Sequence, residues 1–373
     1  MLRSLYLVAV VSLVGCSSVQ EKPEPTPLQR INAVVEFDVV ESISLGGGDQ
    51  TGLAPAVQGE VIAAASASGQ VYLLNSELDE LWDVELDRAI MGGASLNSTN
   101  VYVVTSDATL VALARDDGAK VFEVLLPSSA TVPPVTTDSL VFVKTQIGRI
   151  LAINAQTGEI VWVEEVKESG VGIRGGSPMT LEGDTLFVLW GSGRIFAYQA
   201  DSGRIMWERQ VAVSRGRSPL ERIVDSKGAP SVRNNYVATA TRNGQASLLD
   251  ARNGQLIWSL DSDAYPGALL AFNSVIVVET DGTVSAYSAQ SGESLWSNAA
   301  LKHREPSAPV VIDDFVAVVD LEGELHVFAP ATGAIVGRVD IGGEKGQVAP
   351  VVSDFGVLVQ LLDGRLSLVE VIR

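Results

Sequence analysis

The run Gly148-Arg149-Ile150-Leu151-Ala152-Ile153-Asn154, followed by Thr157-Gly158-Glu159-Ile160-Val161-Trp162, decides the fold. The same arrangement returns at Gly193 to Tyr198 with Ser202-Gly203-Arg204-Ile205-Met206-Trp207. Further copies start at Gly244, ending at Trp258, at Gly282, ending at Trp296, and at Gly323. Upstream, Gly69 leads to Trp82, and Ala108 leads to Gly118 and Phe122. An eighth start, Gly364, is followed only by the strand-like Arg365 to Ile372. Successive starts lie 39, 40, 45, 51, 38, 41 and 41 residues apart, in the range of four-stranded propeller blades.

Each unit holds four short runs with strand chemistry. In the third, residues 130–135 lead in, Leu140 to Lys144 are apolar and β-branched, and Ile150 to Ile153 and Ile160 to Val166 follow glycine turns. Short apolar runs separated by Gly, Asn and Asp specify an antiparallel meander. No stretch beyond the first residues sustains a 3.6-residue apolar period. One such sheet cannot bury both of its faces, so the copies must pack face to face around an axis. The expected fold is all-β, an eight-bladed β-propeller of four-stranded antiparallel blades. The repeated Trp is expected between neighbouring blades, at the wider outside of the ring, rather than stacked on a cofactor. Residues 348–372 supply only three strands, so the missing outer strand is expected from Val34 to Ile43, closing the ring by pairing with the C-terminal three.

Composition bounds the function. The 373 residues are 46% hydrophobic and 19% charged, with 26 basic and 45 acidic side chains and a net charge of −19. This is a folded β protein whose acidity argues against nucleic-acid binding. Residues 1–15 read as a signal peptide, with Arg3 before the apolar run Leu5 to Val14, too short to span a bilayer stably. They end at Leu13-Val14-Gly15-Cys16, which resembles the lipobox of bacterial lipoproteins and implies acylation of Cys16. Cys16 is the single cysteine, so no intramolecular disulfide can form. Ser17 follows it, where the resemblance expects Asp for inner-membrane retention, which implies the periplasmic face of a Gram-negative outer membrane. Residues 16–32, rich in Pro and Glu, are expected to be a lipidated flexible tether, and residues 33–373 the propeller.

The Thr/Ser-Gly-x-x-x-Trp element at 157–162, 202–207 and 291–296, with an Asn variant at 253–258, resembles the repeat of pyrroloquinoline-quinone dehydrogenases. That resemblance implies carboxylates, a calcium site and often paired cysteines around a quinone. A single cysteine cannot supply the pair, and the sequence shows no convincing calcium-ligand cluster. His303 and His326, the only histidines, lack a local metal-ligand spacing. Gly46-Gly47-Gly48 is not followed by the helix that a phosphate loop needs. The expectation is no catalytic, metal or cofactor residues, with a quinone-dependent periplasmic dehydrogenase or another cell-envelope binding propeller as the alternatives.

The spacings of 45 and 51 mark two long junctions, one at residues 168–175 and one at residues 212–227. Links from an outer strand to the next inner strand all emerge on one face of a propeller, so these two are expected to be neighbours. Val171 and Ile173 are apolar residues in a glycine-rich loop beside Arg174, a combination suited to a buried anchor with a charged rim. The second junction adds Arg215, Arg217 and Arg222 near Glu221 and Asp225.

The lipobox, the proline-rich tether and the degenerate eightfold repeat together resemble the BamB family, lipoproteins of the β-barrel assembly machinery of the outer membrane. Arg174-Gly175-Gly176-Ser177-Pro178 and Glu221-Arg222-Ile223-Val224-Asp225 are similar to that family's junction elements. The resemblance implies a non-enzymatic scaffold that binds POTRA domains of the central barrel subunit and assists unfolded outer-membrane proteins. It assigns partner binding to Val171, Ile173, Arg174, Arg222 and Asp225. A second family Asp falls on Lys227, which alters that charge contact.

Overall fold

The computed structural model describes residues 23–46, 53–166, 176–213, 224–343 and 348–372. Among them lie 32 strands in eight four-stranded antiparallel sheets. Seven sheets are built from consecutive strands, spanning residues 56–85, 90–125, 135–165, 180–210, 231–262, 267–298 and 310–340 (blades 1 to 7). Blade 8 takes its three inner strands from residues 351–372 and its outer strand from Glu36–Ser44. That strand pairs antiparallel with Arg365–Ile372, from Glu36 opposite Ile372 to Ser44 opposite Arg365. The closure expected from counting strands is therefore present, and the first strand of blade 8 lies against that of blade 1.

Stacking explains the burial pattern. A strand covered by blades on both sides has no polar face, so Ile150, Leu151, Ala152 and Ile153 are all buried. The core clusters accordingly bridge neighbouring blades. Phe142, Ile150 and Ala152 of blade 3 pack with Leu186, Val188, Phe196 and Tyr198 of blade 4. Outer strands behave differently because a bulge skips the residue before each Trp: Ala152 faces Trp162, Ile153 faces Ile160, and Val161 is left over. The extra residue turns two successive side chains outward, which leaves Ile160 and Val161 exposed while Trp162 turns inward.

The Trp is one half of a clasp between blades. Trp162 Nε1 donates to Ala200 O of the next blade at 3.0 Å, and Trp207 Nε1 donates to Ala251 O at 2.8 Å. The motif glycine of that next blade lies on the ring: a Cβ on Gly203 would come 2.8 Å from the Trp162 indole, and one on Gly254 would come 2.5 Å from Trp207. These glycines also carry φ values of +71° and +68°, so both backbone and space exclude a side chain. Gly-x-x-x-Trp is thus a docking surface for the preceding blade joined to the reach for the following one.

The clasp changes at the two seams of blade 8. Blade 7 has Gly337 in the Trp position, and its Cβ-less face receives the N-terminal segment, with Val35 Cγ1 at 2.8 Å and Phe37 Cε2 at 3.0 Å from where a Cβ would stand. Val35 and Phe37 join the core shared by blades 7 and 8. On the other seam, blade 8 offers Glu41 where a Trp would project, and blade 1 carries Leu78 in place of the glycine. Leu78 holds a φ of +64° and packs with Leu45, Ile62, Leu74 and Leu366.

In blades 2, 3, 5, 6 and 7 the link into the blade meets that blade's second hairpin on one face of the ring, where backbone bonds recur. Ser106 N donates to Ala89 O at 2.8 Å, Gln146 N to Ser129 O at 2.9 Å, Arg242 N to Asp225 O at 2.7 Å and Leu321 N to Arg304 O at 2.9 Å. The described ends of the two long links, at residues 176–178 and 224–228, meet on this junction face.

Candidate partner-binding face

Four of the residues assigned to partner binding, Val171, Ile173, Arg174 and Arg222, lie outside the described residues, as does Cys16. What the structure defines is the platform on which the two junctions end. Ser177, two residues past the first, donates its hydroxyl to Gly228 O at 2.7 Å, and Ser226 Oγ donates to the same carbonyl at 3.2 Å. The two junctions are therefore tied together at their ends, on the junction face between blades 4 and 5. Thr180 Oγ1 adds a bond to Pro230 O at 2.6 Å.

Lys144 props this platform from blade 3. Its ammonium donates to Ser177 O and to Leu189 O, both at 2.8 Å, and stands 4.8 Å from the centre of the Trp190 ring. Two carbonyls and an aromatic face satisfy a cation that is almost wholly buried. Gly228 supplies the close approach on the other side, since a Cβ there would lie 2.5 Å from Pro266 O.

Asp225 is the one residue assigned to partner binding that lies among the described residues. The residue is 3% exposed, and Oδ1 accepts the Ser226 amide at 2.8 Å while its carbonyl accepts the Arg242 amide. These bonds hold it at the described end of the second junction, beside Ser226 and Gly228. Lys227, at the second family Asp position, is half-buried, and its amide donates to Tyr265 O at 2.8 Å. Burial lowers its pKa, with the Glu305 carboxylate opposing the shift. Sequence reasoning saw charge at 225 and 227 but had no signal for which side chains turn inward.

The chemistry of the histidines points away from catalysis. His326 is fully buried on Glu324–Phe328, with Nε2 at 2.8 Å from Asp320 Oδ2 and Nδ1 accepting from Arg338 Nε at 3.2 Å. Both ring nitrogens are thus committed, and an arginine stands where a nucleophile would be needed. His303 is exposed on the link into blade 7. Among the described residues no group of three or more His, Cys, Asp or Glu is placed to hold a metal. The single cysteine likewise cannot form the pair that often lies beside a quinone.

A family model described as Outer membrane protein assembly factor BamB matches residues 67–298 and 280–371. The chain belongs to the BamB family. The outer membrane protein assembly factor BamB of Bordetella pertussis is 30% identical over 98% of this chain and 96% of its own length. The crystal structure of BamB from Moraxella catarrhalis superposes with a TM-score of 0.82, at 26% identity, covering 90% of this chain and 99% of that one. Quinohemoprotein alcohol dehydrogenase from Comamonas testosteroni shares the propeller, with a TM-score of 0.68 over 90% of this chain and 76% of its own, at 14% identity. That second likeness concerns the fold alone. The BamB relatives carry the name of an assembly factor, and in this chain the repeated Trp has a packing role that by itself implies no chemistry.

Proposed function

We propose that this chain is a non-enzymatic scaffold subunit of the outer-membrane β-barrel assembly machinery, docking through its junction face on POTRA domains of the central barrel subunit. Residues 1–15 are the signal peptide, Cys16 carries the lipid that anchors the protein to the periplasmic side of the outer membrane, and the chain from Cys16 towards the ring is the link. Val171 and Ile173 enter a shallow apolar groove on the partner while Arg174 and Arg222 meet its carboxylates. The observation that carries this reading is the bond from Ser177 to Gly228, which makes one braced platform of the ends of the two longest junctions. A rigid base reduces the ordering cost of docking a loop.

Central anchors of this kind are worth about 2 kcal/mol or more each. Arg174→Glu and Val171→Asp are expected to abolish co-purification of the barrel subunit from solubilised envelopes while leaving the ring's thermal unfolding unchanged. Undiminished co-purification would overturn the assignment.

A further inference from the structure

The stretch before the closing strand was expected to be tether as far as residue 32, yet it is fastened to blade 7 from Thr26 onward. Pro25 and Pro27 lack amide hydrogens, so Thr26 offers the only N–H between them. That amide and the Thr26 hydroxyl both donate to Lys302 O, at 3.0 and 2.8 Å. Arg304 Nη1 donates back to Thr26 O at 3.1 Å, and Arg338 Nη1 donates to Gln29 O at 3.0 Å. Val34 and Val35 then give their amides to Val336 O, at 2.7 and 3.2 Å, before Val35 fills the space left by Gly337.

The two arginines belong to one network. Arg304, 2% exposed, donates Nε to Asp320 Oδ2 at 2.6 Å and pairs with Glu322. Asp320 bonds His326, and His326 accepts from Arg338. A guanidinium held by buried partners is preorganised, so capturing a backbone carbonyl costs it little further entropy. The surface around these side chains therefore takes up main chain, and its occupant is this chain's own residues 26–35.

The path of the segment has a direction. Lys302 and Arg304 lie on the link into blade 7, hence on the junction face, whereas Val336 lies near the start of Ile335–Asp340 at the opposite end. We propose that residues 26–35 form a strap that leads the N-terminus out on the junction face, with Arg304 and Arg338 as its positioning residues. Resting on the lipid anchor proposed above, the strap holds the junction face towards the membrane. The ten residues from Cys16 to Thr26 reach at most about 35 Å.

Two labels at the ends of one strand decide the direction. Ile147 precedes Arg149–Asn154 on the junction face, and Gln156 follows it on the other. In the full chain with Cys16→Ser, a spin label at Glu24→Cys is paired with one at Ile147→Cys or at Gln156→Cys. The strap predicts narrow distance distributions in both pairs and the shorter distance to 147. The double variant Thr26→Pro, Arg338→Ala, which leaves Arg304 and Asp320 paired, is expected to broaden both while the ring still unfolds cooperatively. Broad distributions in the parent, or no change in the variant, would overturn the strap. For orientation, the lipidated chain with an acceptor dye at 147 or 156 is floated with vesicles bearing a headgroup donor dye. Greater transfer to 147 is expected. Flotation with equal transfer refutes the orientation and spares the anchor, whereas failure to float refutes both, with the spin labels still deciding the strap.

Discussion

Restoring the repeat where it is broken should harm this protein. Gly337→Trp gives blade 7 the residue found at the same place in blades 1 and 3 to 6. A substitution towards the consensus of a repeat commonly stabilises it. Here the space is taken: Val35 Cγ1 lies 2.8 Å and Val35 O 3.0 Å from where the Cβ would be built. An indole can enter only by expelling Val35 and Phe37, each 8% exposed. Exposing a buried Val and Phe costs about 1.5–3 kcal/mol apiece. Losing the Val34 and Val35 amide bonds to Val336 O adds about 1 kcal/mol each. The indole recovers part of this by its own burial, leaving a net loss of about 3–5 kcal/mol. With an unfolding entropy of about 2.1 cal/mol/K per residue over roughly 340 residues, the thermal midpoint should fall by about 4–7 °C. Calorimetry supplies the midpoint, and hydrogen exchange should show the amides of Val34 and Val35 losing protection. A midpoint equal to or above that of the parent would refute the idea that the N-terminal segment occupies the Trp position.

The complementary seam and the buried histidine give two further expectations. Leu78→Gly removes a positive-φ strain of about 1–2 kcal/mol but opens a cavity worth about 2–5 kcal/mol. The net effect in urea denaturation should be destabilisation of about 1–3 kcal/mol, and a stabilised variant would contradict the packing role assigned to Leu78. Burial holds His326 below the ordinary imidazole pKa, with the Asp320 carboxylate partly offsetting and the Arg338 and Arg304 guanidiniums reinforcing the shift. A base depressed in the folded state binds fewer protons there than when unfolded, so its stabilisation is complete above about pH 6.5 and is lost progressively as pH falls below that value towards the depressed folded pKa. His326→Gln should flatten the stability profile just below pH 6.5, and an unchanged slope would contradict the assignment.

The parts of the fold that the sequence makes legible are those whose contacts repeat. Gly203 and Trp207 are four residues apart, and each touches a neighbouring blade, so the clasp is written in a short window and copied. The closing strand could be found by counting because one blade lacked a partner. The strap obeys neither rule. Its groove joins residues 304, 320, 326 and 338 to a segment roughly 300 positions earlier, brought together only when the ring closes. One trace was present in the text: the seventh copy reads Thr332-Gly333-Ala334-Ile335-Val336-Gly337, with glycine at the Trp position. Lys144 and Asp225 were opaque for another reason. A charged side chain looks solvated until the carbonyls or amides that receive it are known, and for Lys144 those carbonyls sit in the next blade.

Gly337 and Leu78 also bear on how such a ring can be rearranged. Every other clasp is interchangeable in kind, a Trp or Phe reaching one glycine turn ahead, so a blade could be duplicated or replaced there and still find a matching neighbour. The seam around blade 8 accepts neither element of that pairing. A gene permuted to start at another blade would carry this irregular seam inside an uninterrupted chain, while its new ends fell at a tryptophan clasp with no terminal segment shaped to close it. The circle is symmetric in space, but its sequence remembers where it was cut.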